Sequence, residues 1–204
     1  MEKLTDMKRA ELNEEDHRIF PFWYAPVVVS TDIGPVITLM RYHCRPAGKP
    51  KGIDRQFDGL YNARRDSLEG FWTAQFGRHH ALIVLDGFYE NVDQHRVENR
   101  ELRPGEAPQN VILHFTPKPG APMFVPCLWS SWSAEGEQDL QSFAIITDEP
   151  PAEVAAVGHD RCPINLRQGN LQDWLTPQGR SRDDLYRILS EREQPYYEHE
   201  VMAA

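Results

Sequence analysis

Short apolar runs cut by proline and glycine dominate this chain, and they confine it to folds built from many brief strands. Val27-Val28-Val29, Val36 to Tyr42, Ala81 to Leu85, Val111 to Phe115, Met123 to Trp129 and Phe143 to Thr147 are each too short for an ordinary helix. Sixteen prolines and 13 glycines punctuate the 204 residues. Thr31-Asp32-Ile33-Gly34 supplies turn chemistry between the first two runs and predicts a hairpin. Pro117-Lys118-Pro119-Gly120 predicts a second turn, Ser133 to Gln138 a loop, and Pro195 to Val201 a last strand. Pro21 and Pro26 favour extended chain around Phe22-Trp23-Tyr24. Residues 45–59 read as loop. Residues 91–109 are polar, contain Pro104, Gly105 and Pro108, and read as an exposed hairpin excursion or insertion.

Helical signals are fewer. Residues 1–18 suggest an exposed charged helix. Asp66 or Ser67 can cap a helix through Phe76, with Leu68, Phe71, Trp72 and Phe76 facing inward. Pro151 to Val157, Asn170 to Leu175 and Asp183 to Leu189 suggest three more, the last capped by Ser181. Strands crowd together with no regular βα alternation. The expectation is one α+β domain over 1–204, with a curled mixed β-sheet or small β-barrel core surrounded by helices.

A formal net charge of −9 opposes generic attraction to polyanions. A local basic cleft from Arg64-Arg65, Arg78-His79-His80 and Arg161 is still compatible with it. No apolar run is long enough to span a bilayer, and Met1-Glu2-Lys3-Leu4-Thr5-Asp6 lacks the pattern of a signal peptide, so a cytoplasmic location is expected. The three cysteines, Cys44, Cys127 and Cys162, are odd in number and widely spaced. They read as buried free thiols, not a disulfide framework or zinc ribbon. His43, His79-His80, Glu90 and His159 form no metal-ligand spacing such as HExxH, and Walker, GxGxxG and GxSxG patterns are missing. Neither a metal nor another cofactor is expected. The tryptophans read as core.

Three stretches carry chemistry. Asn62-Ala63-Arg64, in extended chain, points an amide and a guanidinium the same way, suited to an anion or a ring oxygen. Glu90 ends an apolar strand after Gly87-Phe88-Tyr89. Partial desolvation there raises a carboxylate's pKa and suits it to general acid–base work. His159 follows Gly158 at the end of a helix and precedes Asp160-Arg161. Its imidazole is a proton shuttle near neutrality that Asp160 or Glu90 can orient. Arg161 reads either as an anion clamp or as a local partner of Asp160. Taken singly, each has a bland alternative: a solvated strand end, a surface histidine, a loop-stabilising asparagine.

Taken in order, Asn62-Ala63-Arg64, Gly87-Phe88-Tyr89-Glu90 and His159-Asp160-Arg161-Cys162-Pro163 resemble the SOS response-associated peptidase (SRAP) family. Leu128-Trp129 with Trp132, and Ala144-Ile145-Ile146-Thr147, add to the likeness, which spans roughly residues 20–176. The resemblance implies a small barrel-like core and binding of single-stranded DNA at abasic sites, with no membrane and no obligate protein partner. It implies a covalent crosslink through an N-terminal cysteine, and removal of the initiator methionine. Glu90 and His159 would be the acid–base pair, Asn62 would orient the reacting centre, and Arg64, with Arg161, would bind the substrate. The family begins Met-Cys-Gly-Arg where this chain has Met1-Glu2-Lys3. Trp23 stands for a family asparagine, Arg41-Tyr42-His43-Cys44 for an Arg-Trp-Gly-Leu-like stretch, and Asn91 for a tryptophan. Two readings stay open: a divergent relative without the crosslinking cysteine, or a chain whose native start lies upstream. Glu2 disfavours methionine removal. Cys44 is a candidate substitute nucleophile.

Overall fold

The computed structural model describes residues 18–202. The helix expected over 1–18 therefore falls, but for its last residue, outside the described residues.

Among the described residues, ten strands make two sheets. β1 (Tyr24–Thr31) and β2 (Gly34–Tyr42) form the expected hairpin, in register from Tyr24 opposite Arg41 to Thr31 opposite Gly34. β1 also pairs β4 (His80–Leu85), β4 pairs β7 (Met123–Trp132), and β7 pairs β8 (Leu140–Asp148), all antiparallel. β8 then returns to β2 in parallel through Arg41 opposite Ser142 and Tyr42 opposite Phe143, closing a five-stranded mixed barrel. β3 (Asn62–Arg64) lies parallel to β8, and β9 (Cys162–Pro163) antiparallel to it. The second sheet is antiparallel: β5 (Phe88–Asp93), β6 (Asn110–Lys118) and β10 (Tyr196–Val201), with β6 in the centre. This is an α+β single domain.

The barrel wall divides the apolar interior in two. Ala81, Ile83, Phe143 and Ile145 point into a core shared with Val27, Met40, Val125 and the second sheet. Leu82, Ala144 and Ile146 point out, into a core covered by Trp72, Phe76, Trp174 and Leu189. Strands buried on both faces read as unbroken apolar runs, which is why β4 and β8 show no alternation. Trp174 is fully buried; its indole N–H donates to the Ala81 carbonyl at 2.9 Å. His80 donates from Nδ1 to the Trp174 carbonyl and accepts the Gly77 N–H at Nε2. Burial takes its pKa down to about 3, so His80 is a neutral core residue and not part of a basic cleft.

The helices are short: α1 (Ile53–Gln56), α2 (Gln94–Val97), α3 (Ala152–Ala156), α4 (Leu171–Leu175) and α5 (Arg182–Ser190). Ser181 caps α5 through a reciprocal box with Asp184. Two expectations need correcting. The stretch from Ser67 to Phe76 is a 3₁₀ turn followed by irregular turns, not a helix, although Leu68, Trp72 and Phe76 are buried as expected. Its backbone bonds mix spans, from Gly70 N–H to Ser67 and from Phe76 N–H to Trp72, so helical periodicity survives without a helix. Phe22 is not extended: its φ of 73° turns the chain and stacks its ring on His43 at 4.3 Å. Residues 94–109 form the excursion between the antiparallel strands β5 and β6; β5 itself continues to Asp93 with Val92 buried, and α2 packs Arg96 across Gly158.

Candidate functional site

Glu90 owes its place to strand alternation. Phe88 and Val92 are buried in the core, and period two puts Glu90 between them on the same inward side. Gly87 lets β5 approach this closely: a Cβ there would collide with the Phe115 carbonyl and the His114 ring. On the other side, α3 ends at Ala156, and Gly158, just past its Val157 cap, has a φ of +89° that turns the chain and leads into His159.

His159 Nε2 meets Glu90 Oε2 at 2.7 Å, and both side chains are about one-fifth exposed. His159 Nδ1 lies 2.9 Å from the Arg161 carbonyl, which can only accept, so Nδ1 carries a hydrogen. The longer 3.4 Å approach of the Arg161 N–H to the same nitrogen is the weaker interaction. With Nδ1–H committed, the Glu90 contact needs a proton between Nε2 and Oε2. Glu90, accepting the Nε2–H of the charged ring, raises the His159 pKa above its ordinary value against the opposing effect of burial. The contact therefore favours the charged, doubly protonated imidazole of His159 beside Glu90.

Glu90 opens onto a cavity of about 770 Å³ between the barrel mouth and the second sheet. Its apolar wall includes Tyr42, Ile83, Phe143 and Ile145. Asn62, on β3, also lines it, and Asn62 Oδ1 is buried with no hydrogen-bond partner among the described residues. Thr147 Oγ1, on β8, is in the same condition and lines the same cavity. Two buried polar oxygens without a partner beside a cavity are chemically able to accept a hydrogen bond from a group that enters it. Sequence reasoning missed the role of Thr147, because a threonine closing an apolar strand looks like any strand end. The signal lay in its neighbours, Arg64 and Pro163, which flank it in register.

The expected site residues divide into two shells of the same region. Asn62 and Glu90 line the cavity; His159 reaches it through Glu90. Arg64 and Arg161 lie beside it and converge on Asp66. Arg161 donates to the Asp160 carbonyl, so the Asp160 side chain is not its partner. Cys44 is not brought to the site. It is fully buried in the outer core, and burial pushes its thiol up to about 12, which removes it as a nucleophile. Cys127 and Cys162 are likewise buried and unpaired.

A model of the family described as SOS response associated peptidase (SRAP) matches residues 1–203. The chain belongs to the SRAP family. No curated protein matches it. Among solved structures, this SRAP chain is similar to a protein of Bacteroides thetaiotaomicron at TM-score 0.70 and 15% identity, covering 89% of this chain and 75% of that one. It is also similar to a protein of Bordetella bronchiseptica at TM-score 0.68 and 17% identity, covering 91% and 87%. A phage-related protein of the same organism gives 0.66 and 19%, covering 91% and 81%. At these identities the likeness speaks for the fold of the SRAP chain.

Proposed function

We propose that this SRAP protein binds single-stranded DNA at an abasic site and catalyses proton transfer on the exposed deoxyribose. The observation that carries the reading is the 2.7 Å Glu90–His159 contact at a cavity furnished with two unsatisfied polar oxygens. Glu90 is the catalytic group, since it faces the cavity. It passes a proton to or from the sugar's ring oxygen and hydroxyl as the ring opens to the aldehyde. His159 supplies and recovers that proton, and its Nδ1–H bond to the Arg161 carbonyl holds the ring in place. Asn62 Oδ1 and Thr147 Oγ1 take the sugar hydroxyls. A missing base leaves room for the apolar wall to exclude water from the reacting centre. Arg64 and Arg161 supply local positive charge that an acidic protein otherwise lacks.

Covalent capture of the aldehyde needs an amine or thiol at the cavity, and among the described residues no cysteine or lysine lines it. That observation favours a second reading, in which the pocket holds the opened sugar without a stable adduct. Incubation with abasic and intact single-stranded oligonucleotides separates the two. Both readings require tighter binding to the abasic strand and a loss of about 10²-fold or more in ring-opening or capture rate for Glu90→Gln. A band resistant to denaturing electrophoresis supports the covalent reading; binding without that band supports the second. Equal affinity for abasic and intact strands rejects both.

A further inference from the structure

The barrel seam puts a hydrogen-bond donor into the cavity that the proton transfer described above does not use. Tyr42 ends β2, where it lies opposite Phe143 of β8. Its ring stacks on Phe143 with centroids 5.3 Å apart and meets Tyr61 edge-on at 5.8 Å. All three rings line the cavity together with Asn62 and Glu90. The backbone is held as firmly: the Tyr42 N–H donates to the Trp23 carbonyl at 2.7 Å, and the Tyr42 carbonyl accepts the Phe22 N–H at 2.6 Å. The phenol is thus fixed in place, yet among the described residues its hydroxyl makes no hydrogen bond. A tyrosine in such surroundings ordinarily spends its O–H on a neighbour. Burial above all, with Tyr61, Cys127 and Glu90 adding to it, holds its pKa well above the ordinary tyrosine value, so the group stays an O–H donor.

Opening a sugar ring makes two demands at once. The anomeric hydroxyl must lose its proton, and the ring oxygen must accept the electron pair of its bond to the anomeric carbon. One carboxylate cannot serve both oxygens at the same instant. Glu90, from the second sheet, takes the hydroxyl proton; as an ionised carboxylate it is an acceptor and cannot stabilise a negative oxygen. Asn62 Oδ1 and Thr147 Oγ1 are taken up by the sugar's other hydroxyls. A donor already in place can stabilise the ring oxygen, and it costs no reorganisation when the charge appears. We propose that the Tyr42 hydroxyl is that donor, a catalytic residue that hydrogen-bonds the ring oxygen while its bond to the anomeric carbon breaks. The electron pair of that bond stays on the ring oxygen, and the O–H pair of the anomeric hydroxyl becomes the second bond of the aldehyde. The proton taken by Glu90 passes on to the ring oxygen through the Glu90–His159 pair, and Tyr42 keeps its own. This rests on the DNA reading given above and adds the donor that reading lacks. Tyr42 belongs to the Arg41-Tyr42-His43-Cys44 stretch, in which this chain departs from the family's spelling.

Single-turnover capture of the opened aldehyde by a saturating hydroxylamine probe reads the ring-opening rate on an abasic single-stranded oligonucleotide, and fluorescence anisotropy reads affinity for the same strand. Tyr42→Phe keeps the ring contacts and removes a hydroxyl without a partner, so the fold should stand. Its ring-opening rate is expected to fall about 10²-fold, the loss that follows removal of one such donor. Its affinity should change by less than about twofold, since the bond strengthens only as charge develops. Tyr196→Phe removes an exposed phenol outside the cavity and should change neither. In the wild type, the Cζ resonance of Tyr42 should shift on binding an oligonucleotide with a tetrahydrofuran abasic analogue, which keeps the ring oxygen. A Tyr42→Phe rate equal to wild type's, equal losses of rate and affinity, or a Cζ resonance that stays put at saturation overturns the role of Tyr42 and leaves the DNA reading standing. If Tyr42→Phe melts early, the Cζ measurement on the wild type decides alone. Equal wild-type affinity for abasic and intact strands rejects the DNA reading and the donor with it.

Discussion

His159 bears a raised pKa because Glu90 holds its charged form, and this makes the pair a contributor to stability with a defined pH window. The histidine's ordinary value is 6.5, and its folded value lies above that. A group whose pKa rises on folding stabilises fully below the unfolded value and loses that contribution as pH climbs through the folded one. Wild type should therefore exceed Glu90→Gln in stability by about 1 kcal/mol in mildly acidic buffer, with the gap closing above neutrality. Urea denaturation of both proteins from about pH 6 to about pH 9 checks this, and a gap that widens with pH would contradict it. The sequence named five of the residues involved, Asn62, Arg64, Glu90, His159 and Arg161, since the amide, carboxylate, imidazole and two guanidinium groups sit in short recognisable stretches. It could not assign them to cavity and rim. Asn62 and Arg64 share a face by strand alternation, yet only Asn62 lines the cavity. Thr147 stayed invisible because its significance is an unmade hydrogen bond.

Among the elements, α5 and β5 show how local sequence positions distant parts. α5 buries Leu185, Ile188 and Leu189 in the outer core, and its Arg182 donates to the Phe76 carbonyl while lying 4.8 Å over the Phe76 ring. Ser181→Ala removes the cap that starts this helix and should cost about 1 kcal/mol, seen as a lower urea midpoint with unchanged slope. Gly87→Ala should cost more, about 1–3 kcal/mol, because the added methyl meets backbone at Phe115 that cannot move aside. Gly120→Ala, where a Cβ meets open space, is the matched control, and a melting temperature for Gly87→Ala equal to that control's would refute the close-approach argument. The capping box of α5, the β1–β2 hairpin and the long strands were legible because each is written in consecutive residues. The turns from Ser67 to Phe76 were not. Their inward spacing is that of a helix, but Gly70 and the mixed hydrogen-bond spans let burial be satisfied by irregular chain.

At the scale of the whole molecule, the barrel closes through only two parallel positions, Arg41 with Ser142 and Tyr42 with Phe143. Partners a hundred residues apart leave no local pattern, so a small barrel could be expected from strand density while its seam could not. The division of the interior by the barrel wall also places all three cysteines out of reach of water. Burial pushes the thiols of Cys44 and Cys162 up to about 12 and that of Cys127 up as well. A thiol-reactive chromogenic disulfide should therefore find no reactive sulfur in the native protein and three in urea, and rapid native reaction would contradict the burial. The same silence has a practical use. Ile33, at the tip of the β1–β2 hairpin, is 93% exposed. Ile33→Cys would create a single addressable sulfur on an otherwise inert surface, a place to attach a spin label or fluorophore without first removing any native cysteine.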